Sequence, residues 1–428
     1  MAHTLQKSFV PLVVGALIVG AVALNGGAGA ASAGASAPTQ GVTATTIRVG
    51  IPYVDLAAVR QFGITLDQGS FPDAYNALIA NLNAHGGIDG RHLVPYLVAV
   101  NPVGSGPAIT ACTQLSEDDT VFVAINPQQT DCYLQQHDVP TVAGSFQSAL
   151  SPGGAPNFSV EPPLAAYDPV QLAVFARRGV FKGKKVGLFA GEESDAAELR
   201  VVQKALQSLG VHVSESAIDD APPDDQTASN QQVSLIAQRF QQAGVDEVVA
   251  VGTGSTIWPE SLADNQSTYS PPWIATSEPG LETAVLGSSI APAYLKNVLT
   301  SSPVPSNYEI WHTPAVQQCA GVVRKAYPTL EITPPTNPLS GSDQTFYAVE
   351  AACVNLALFS TIAKAAGKDL TWSSFARAGY ALRDAAIPGA GAPVTLAPGR
   401  AYALGPVYLV TYDAAKNVLQ FAATPAAT

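Results

Sequence analysis

The chain has 428 residues, 47% of them apolar and 13% charged, and its 33 Asp and Glu outweigh 21 Lys and Arg for a net charge of −12. So little charge on so apolar a chain argues against long disordered stretches. The acidic balance, with no basic run, argues against binding a nucleic-acid backbone.

At the start, His3 and Lys7 precede an apolar run at 9–24, which gives way to small residues over 26–37. This is the layout of a secretory signal peptide. The run is shorter than the roughly 20 residues of a membrane-spanning helix, and Ala31-Ser32-Ala33 offers a cleavage site. A retained anchor is the alternative. No cysteine follows the run to accept the lipid of a bacterial lipoprotein, so the expected product is exported and released. The remaining length, roughly 390 residues, exceeds the point at which one core stops growing and predicts two lobes.

Strand and helix signals then alternate. Residues 46–52 read as a buried strand, and 72–84 as a helix with Ala74, Leu78, Ile79 and Leu82 on one face, stopped by His85-Gly86-Gly87. A strand at 93–100, a helix at 107–115, an apolar run at 121–125 and a short strand at 141–143 complete a βαβα rhythm. After a loop at 152–163 the rhythm restarts with a helix at 169–178, a strand at 185–190 and a helix at 196–209 ended by Gly210. A strand at 211–216, a helix at 229–243 and strands at 247–251 and 273–276 follow. Such alternation predicts parallel sheets with helices on both faces. Prolines 222–223, 303–305 and 334–338 mark linkers. Helices at 313–326 and 343–366 carry Cys319 and Cys353 on what read as facing surfaces, and 404–411 with 418–422 flank a polar turn as a terminal hairpin.

Four cysteines allow three pairings, and export places them where disulfides persist. Closeness in sequence favours Cys112 with Cys132 and Cys319 with Cys353, against the alternative of buried free thiols. No Cys-x-x-Cys spacing suggests zinc.

Two segments, 41–50 (GVTATTIRVG) and 82–93 (LNAHGGIDGRHL), resemble the type I periplasmic-binding family, the branch with leucine/isoleucine/valine receptors of ABC transporters. Asn83, Gly86, Gly87, Ile88, Gly90 and Arg91 match its helix-to-strand turn, and the likeness extends over 182–191, 245–252 and 342–367, the last with its Tyr-Ala-x-Glu-Ala. It implies an α/β protein of two Rossmann-like lobes, parallel sheets flanked by helices, joined by a three-crossover hinge near Pro163, Tyr308 and Ile387. Lobe one would take 46–163 and 309–387, and lobe two 164–308 and 388–428. Ligand would lie in the cleft at the carboxyl ends of both sheets.

Carried over by position, the resemblance puts Tyr53, Gln128, Gln129, Thr130, Ser145, Glu193, Thr253, Ser255 and Glu278 on cleft loops. In amino-acid receptors of this kind, hydroxyls at the third and fourth strand ends hold a carboxylate and an acid in lobe two meets the ammonium. Thr130, Ser145 and Glu278 stand nearest those roles. The run Asn126-Pro127-Gln128-Gln129 departs from the small loop of the pattern, and glutamine amides suit uncharged polar groups. Tyr53, Trp258, Trp273 and Trp311 are aromatics that could wall a cleft or fill a core.

No Gly-x-Ser-x-Gly elbow, His-Glu-x-x-His or Gly-x-x-x-x-Gly-Lys-Ser/Thr loop occurs. The expectation is a binding protein, not an enzyme, without cofactor, metal or nucleic acid. It would act as a monomer that captures an amino acid, amide or related solute for a permease and ATPase on separate chains. A sensory ligand-binding protein and a secreted α/β enzyme are the alternatives.

Overall fold

A computed structural model of the chain describes residues 39–62, 66–102, 106–127, 130–142, 155–222, 225–287 and 290–427. The predicted signal segment lies outside them.

The first sheet is built from β1 (Thr46–Val54), β2 (His92–Val100), β3 (Val123–Ile125), β4 (Thr141–Val142) and β5 (Asn157–Phe158), all parallel, in the order β2-β1-β3-β4-β5. Ile47, Val49 and Ile51 of β1 are fully buried. Helix α1 (Phe71–Ala84) begins where the Ser70 hydroxyl accepts the Asp73 N–H, with Pro72 in its first turn, and it buries Ala74, Tyr75, Leu78 and Ile79. It ends in the turn that carries the family motif. Gly87 has φ 65°, and a Cβ there would sit 2.0 Å from the Arg91 carbonyl oxygen, so only glycine fits. Asn83 fastens this helix to β2, donating to the Leu93 carbonyl and accepting the Leu93 N–H, both at 2.8 Å. Helix α2 (Gly106–Thr113) continues into a π-helical turn at Gln114–Asp118.

Helix α3 (Leu164–Arg177) leads into the second sheet. Sequence reasoning started this helix at Pro169, but Pro169 lies inside it; the ring removes one backbone donor near the N-terminus, where little helix precedes it to break. There follow β6 (Val186–Ala190), α4 (Ala196–Ser208), β7 (Val213–Ile218), α5 (Gln226–Ala243), β8 (Glu247–Val251), α6 (Gly254–Asp264), β9 (Trp273–Ala275), α7 (Glu278–Leu286), α8 (Pro292–Leu295) and β10 (Val298–Ser302). Strands β6 and β8 are buried at every residue, as central parallel strands covered on both faces should be. Helix α5 is capped by Asp225 and closed by left-handed Gly244.

The chain then returns to the first sheet through α9 (Asn307–Trp311), α10 (Pro314–Ala326), α11 (Phe346–Ala366) and α12 (Trp372–Tyr380). Residues of α1, α9, α10, α11 and α12 share one core with β1 and β3, and the Trp372 indole donates to the Phe122 carbonyl at 2.8 Å. Helix α11 is long and apolar enough to cross a membrane by length and composition alone; here Phe346, Val349, Phe359 and Ile362 fill that core. Finally β11 (Tyr408–Asp413) and β12 (Val418–Phe421) form the expected hairpin and add antiparallel to β10, giving the order β12-β11-β10-β9-β8-β6-β7. Strands β5 and β10 and helices α6, α7, α8, α9 and α12 go beyond the sequence reading. The segments 253–255 and 277–278, read as loops, run directly into α6 and α7.

Both expected disulfides form, Cys112–Cys132 and Cys319–Cys353, spanning 20 and 34 residues of sequence. The second staples α10 to α11. By loop-closure entropy, replacing Cys319 and Cys353 together by alanine should lower the unfolding free energy by about 4 kcal/mol, and the Cys112/Cys132 double variant by about 3 kcal/mol. Urea titration of each double variant against the parent checks both values.

Candidate functional site

At the carboxyl end of β3 the chain turns at Asn126, whose φ of 58° is a left-handed conformation that asparagine tolerates. From β5 it runs through Val160 and Glu161 toward α3, and from β9 through Ser277 into α7, so that Glu278, Pro279 and Glu282 open that helix. Strand β10 ends at Ser302 and passes by Val304 and Pro305 to α9. These segments, with Tyr347, Glu350, Ala351, Val354 and Asn355 of α11, Gly389 and Phe421, enclose a cavity of about 220 Å3. The cavity thus draws on strand ends of both sheets and on the segments that run between them.

Four glutamates line it, Glu161, Glu278, Glu282 and Glu350, and among the described residues no Lys, Arg or His does. Burial pushes the Glu161 carboxyl up to about 8 and that of Glu282 up to about 7. Glu278 and Glu350 are raised well above the usual carboxylate range, first by burial and then by the like charges of Glu161 and Glu282. The Ser302 hydroxyl donates to Glu278 and offsets part of this rise. Glu278 is 5% exposed and Glu350 6%, yet Glu278 Oε1 and Glu350 Oε2 have no hydrogen-bond partner. Burial also raises the Tyr347 hydroxyl, and the nearby glutamates add to the rise. Asn355 donates to the Tyr75 hydroxyl at 3.4 Å, turning one end of its amide toward the core.

A second group of acids sits under the strand ends of the second sheet. Asp168 is fully buried, and burial together with Glu198 raises its carboxyl far above normal. Gln171 donates to Asp168 at 2.8 Å and to the Thr276 carbonyl at 3.2 Å, while Ser301 donates to the Gln171 side-chain oxygen at 3.0 Å. This network ties α3 to β9 and β10.

Of the residues singled out by sequence, Glu278 lies in the cavity wall. Thr253 donates its N–H and its hydroxyl to Asp195, at 3.0 and 2.6 Å. Ser255 is buried, donates to the Ala250 carbonyl and accepts the Ser277 N–H; both residues are engaged in joining strand ends. Tyr53 stacks on Phe71 and lines a separate recess with Asp55 and Arg60. Thr130 is buried two residues before Cys132, and Glu193 is exposed after β6. Gln128, Gln129 and Ser145 lie outside the described residues. Trp258, Trp273 and Trp311 are all core residues, Trp258 being packed between Phe189 and Phe240.

Sequence reasoning missed Glu161, Glu282, Tyr347 and Glu350 as cavity residues. Two signals were present. Glu350 is the one acid in a mostly apolar helix, and Glu282 lies four residues after Glu278, hence on the same helical face.

No protein-family model matches the chain, and no curated relative matches it. Solved structures do. A fatty acid ABC transporter substrate-binding protein from Thermomonospora curvata superposes with a TM-score of 0.60 at 16% identity, over 91% of this chain and 94% of that one. The fold is that of ABC transporter substrate-binding proteins. A substrate-binding protein from Desulfitobacterium hafniense in complex with Leu matches over 88% of this chain and all of its own length, at 16% identity and a TM-score of 0.56. A solute-binding protein from R. palustris in complex with 4-hydroxybenzoate covers 89% and 96%, at 15% identity and 0.59. The substrate-binding-protein fold was the architecture expected from the glycine-rich turn after α1.

The raised glutamates make stability depend on pH. A carboxyl whose folded-state value lies above its unfolded one stabilises the fold while protonated, and that contribution fades as pH rises through the folded value. With Glu282 near 7 and Glu161 near 8, the unliganded protein should melt a few degrees lower at pH 8.5 than at pH 5.5. Glu350→Gln should melt higher than the parent at pH 8.5 and show a shallower fall. Calorimetry of both proteins at the two pH values tests this.

Proposed function

We propose that the chain is an extracytoplasmic solute-binding protein that captures a small molecule in the cavity walled by Glu161, Glu278, Glu282 and Glu350, for delivery to a separate ABC permease and ATPase. The observation that supports this reading most is the make-up of the cavity wall, which joins Asn126 at a strand end of the first sheet and α11 to Glu278 and Ser302 at strand ends of the second. On this reading, lobe one comprises 46–163 and 309–387 and lobe two 164–308 and 388–428, so that a ligand touches both. Binding would favour the closed arrangement only by its greater affinity for it, and the permease would read the closed shape. Export by the segment 1–37 and action as a monomer without turnover belong to the same reading. The volume, about 220 Å3, lies below the roughly 300–1,000 Å3 of pockets for drug-sized ligands and suits a small solute.

A thermal-shift screen of the secreted chain against amino acids, amides, amines and small carboxylates tests the proposal. A true ligand at 100 times its dissociation constant should add about 2.7 kcal/mol of stability, and Glu278→Ala should abolish the shift. A shift that survives Glu278→Ala, or chemical conversion of the stabilising solute, would overturn the reading.

A further inference from the structure

We propose that the solute held in this cavity is a small organic dication, two protonated amines on a short aliphatic spacer. The inference rests on the solute-binding reading and names its substrate class.

Charge comes first. Four carboxylates face the cavity and, among the described residues, no side-chain cation does, so a solute that carries a carboxylate of its own would meet only like charge. A zwitterionic amino acid would satisfy one glutamate through its ammonium and set its own carboxylate beside the others. A single amine leaves most of the acids unpaired. Two amines offset the largest part of the negative charge without introducing any.

Geometry separates an organic dication from a metal ion. Among the described residues, the one group that brings three potential ligand atoms within 4.8 Å of one another is Cys112, Cys132 and His137. The cavity glutamates do not converge in that way, and a divalent cation needs several oxygens within 2.0–2.6 Å of one point. They are spread around the wall. Glu278 and Glu282 come from α7, Glu350 from α11, and Glu161 from the segment after β5.

The two unpartnered oxygens mark where the ends of the ligand sit. Glu278 Oε1 belongs to α7, which follows a strand of the second sheet, and Glu350 Oε2 belongs to α11, whose side chains pack in the core of the first. Each lies on a residue more than nine-tenths buried, where an orphaned carboxylate oxygen is costly. An ammonium supplies three donors and can satisfy such an oxygen together with a neighbour: Ser302 and Glu282 stand with Glu278, and Tyr347 is near enough to Glu350 to feel its charge. The Tyr347 ring adds an aromatic face toward which a cation is attracted. Val160, Val304, Ile310 and Val354 supply apolar wall for methylenes.

Protons compete with the ligand. The titratable groups facing the cavity are Glu161, Glu278, Glu282, Tyr347 and Glu350, with Tyr167 near enough to Glu278 to feel its charge. In the empty cavity, carboxyls with values near 7 and 8 hold protons at neutral pH. A dication displaces them to solvent, since its amines, near 10.4 like lysine's, stay charged. Affinity therefore rises with pH between about 6 and 8.5 and levels off once the carboxyls are ionised.

Isothermal titration of the secreted protein with 1,4-diaminobutane and 1,5-diaminopentane, beside 1-aminobutane and leucine, tests the proposal. A diamine should bind at least about tenfold more tightly than the monoamine and more tightly than leucine. Its dissociation constant should fall about tenfold or more from pH 6 to pH 8.5, with heats in two buffers of different ionisation enthalpy reporting proton release. Glu350→Gln should weaken diamine binding roughly 30-fold or more while its unliganded melting temperature stays level or rises; half-buried Glu282→Gln gives the same test if Glu350→Gln does not fold. Leucine or a carboxylate that binds where diamines do not would overturn the substrate class and leave the solute-binding reading standing. Diamine binding insensitive to both substitutions would place the ligand elsewhere and overturn the proposal as well. Failure of diamines together with every solute of the wider screen would sink both readings.

Discussion

Removing a carboxylate from water costs several kcal/mol unless a partner replaces the lost hydration. This fold gathers four around one small cavity and, among the described residues, lines that cavity with no cation. The rest of the wall follows from that constraint. Ser302 offers a hydroxyl to Glu278, the protons that the raised carboxyls retain hold down the charge, and two oxygens remain without a partner. A core built for stability alone would place leucine or methionine at such positions. Unpartnered buried atoms occur elsewhere in the fold, at Ser116, Asp131, Tyr133, Asp168 and Trp258. Here, however, four acids meet beside the chain's crossing segments, and on the proposed reading a ligand is their missing partner.

The scaffold keeps those acids from escaping to water. Glu350 is held in place with α11, which is packed into the apolar core and bonded to α10 through Cys319–Cys353 within that core. Glu278 is fixed by the start of α7, whose entry from β9 is anchored where the Ser277 N–H donates to Ser255. Asp195 draws the loop after β6 onto the loop after β8 through Thr253, and a Cβ on Gly252 would collide with that carboxylate at 2.4 Å. Thr253 and Ser255 thus serve the site by holding strand ends in place.

What the sequence made legible divides along physical lines. The βα rhythm, the glycine-rich turn after α1 and the disulfide pairs depend on local periodicity, backbone freedom and proximity along the chain, and all were readable. The glycines of 86–90 announce a turn that only residues without a Cβ can make, and the structure adds why Asn83 accompanies them: it bonds to both backbone groups of Leu93. Helix α7 was hidden because it follows a three-residue strand and opens on Glu-Pro-Gly, a run that reads as turn. Cavity residues from distant segments were the least legible. Glu161 and Glu350 are 189 positions apart (350 minus 161), and nothing local in either says that they will share a wall. Tyr347 and Glu350 stood in a recognised motif, Tyr-Ala-x-Glu-Ala, whose resemblance spoke to the fold and left their chemistry unassigned.

The position of the acids also bears on how binding could be converted into a signal. If the carboxylates of α7 and α11 were on one element, a ligand would neutralise them equally in any arrangement of the two sheets and would shift no equilibrium. Set on elements belonging to different sheets, they repel across the cavity when ionised and attract through a shared cation when it is occupied. On the proposed reading, like-charge repulsion then opposes closure of the ionised protein without ligand, and a bound dication reverses its sign. Moving a two-state equilibrium from 1:99 to 99:1 takes about 5.5 kcal/mol of differential affinity. Within the range of measured coupling for close buried charge pairs, two such contacts suffice. Protonation at lower pH removes the repulsion without supplying the bridge, so acid would leave the cavity easier to close and harder to fill.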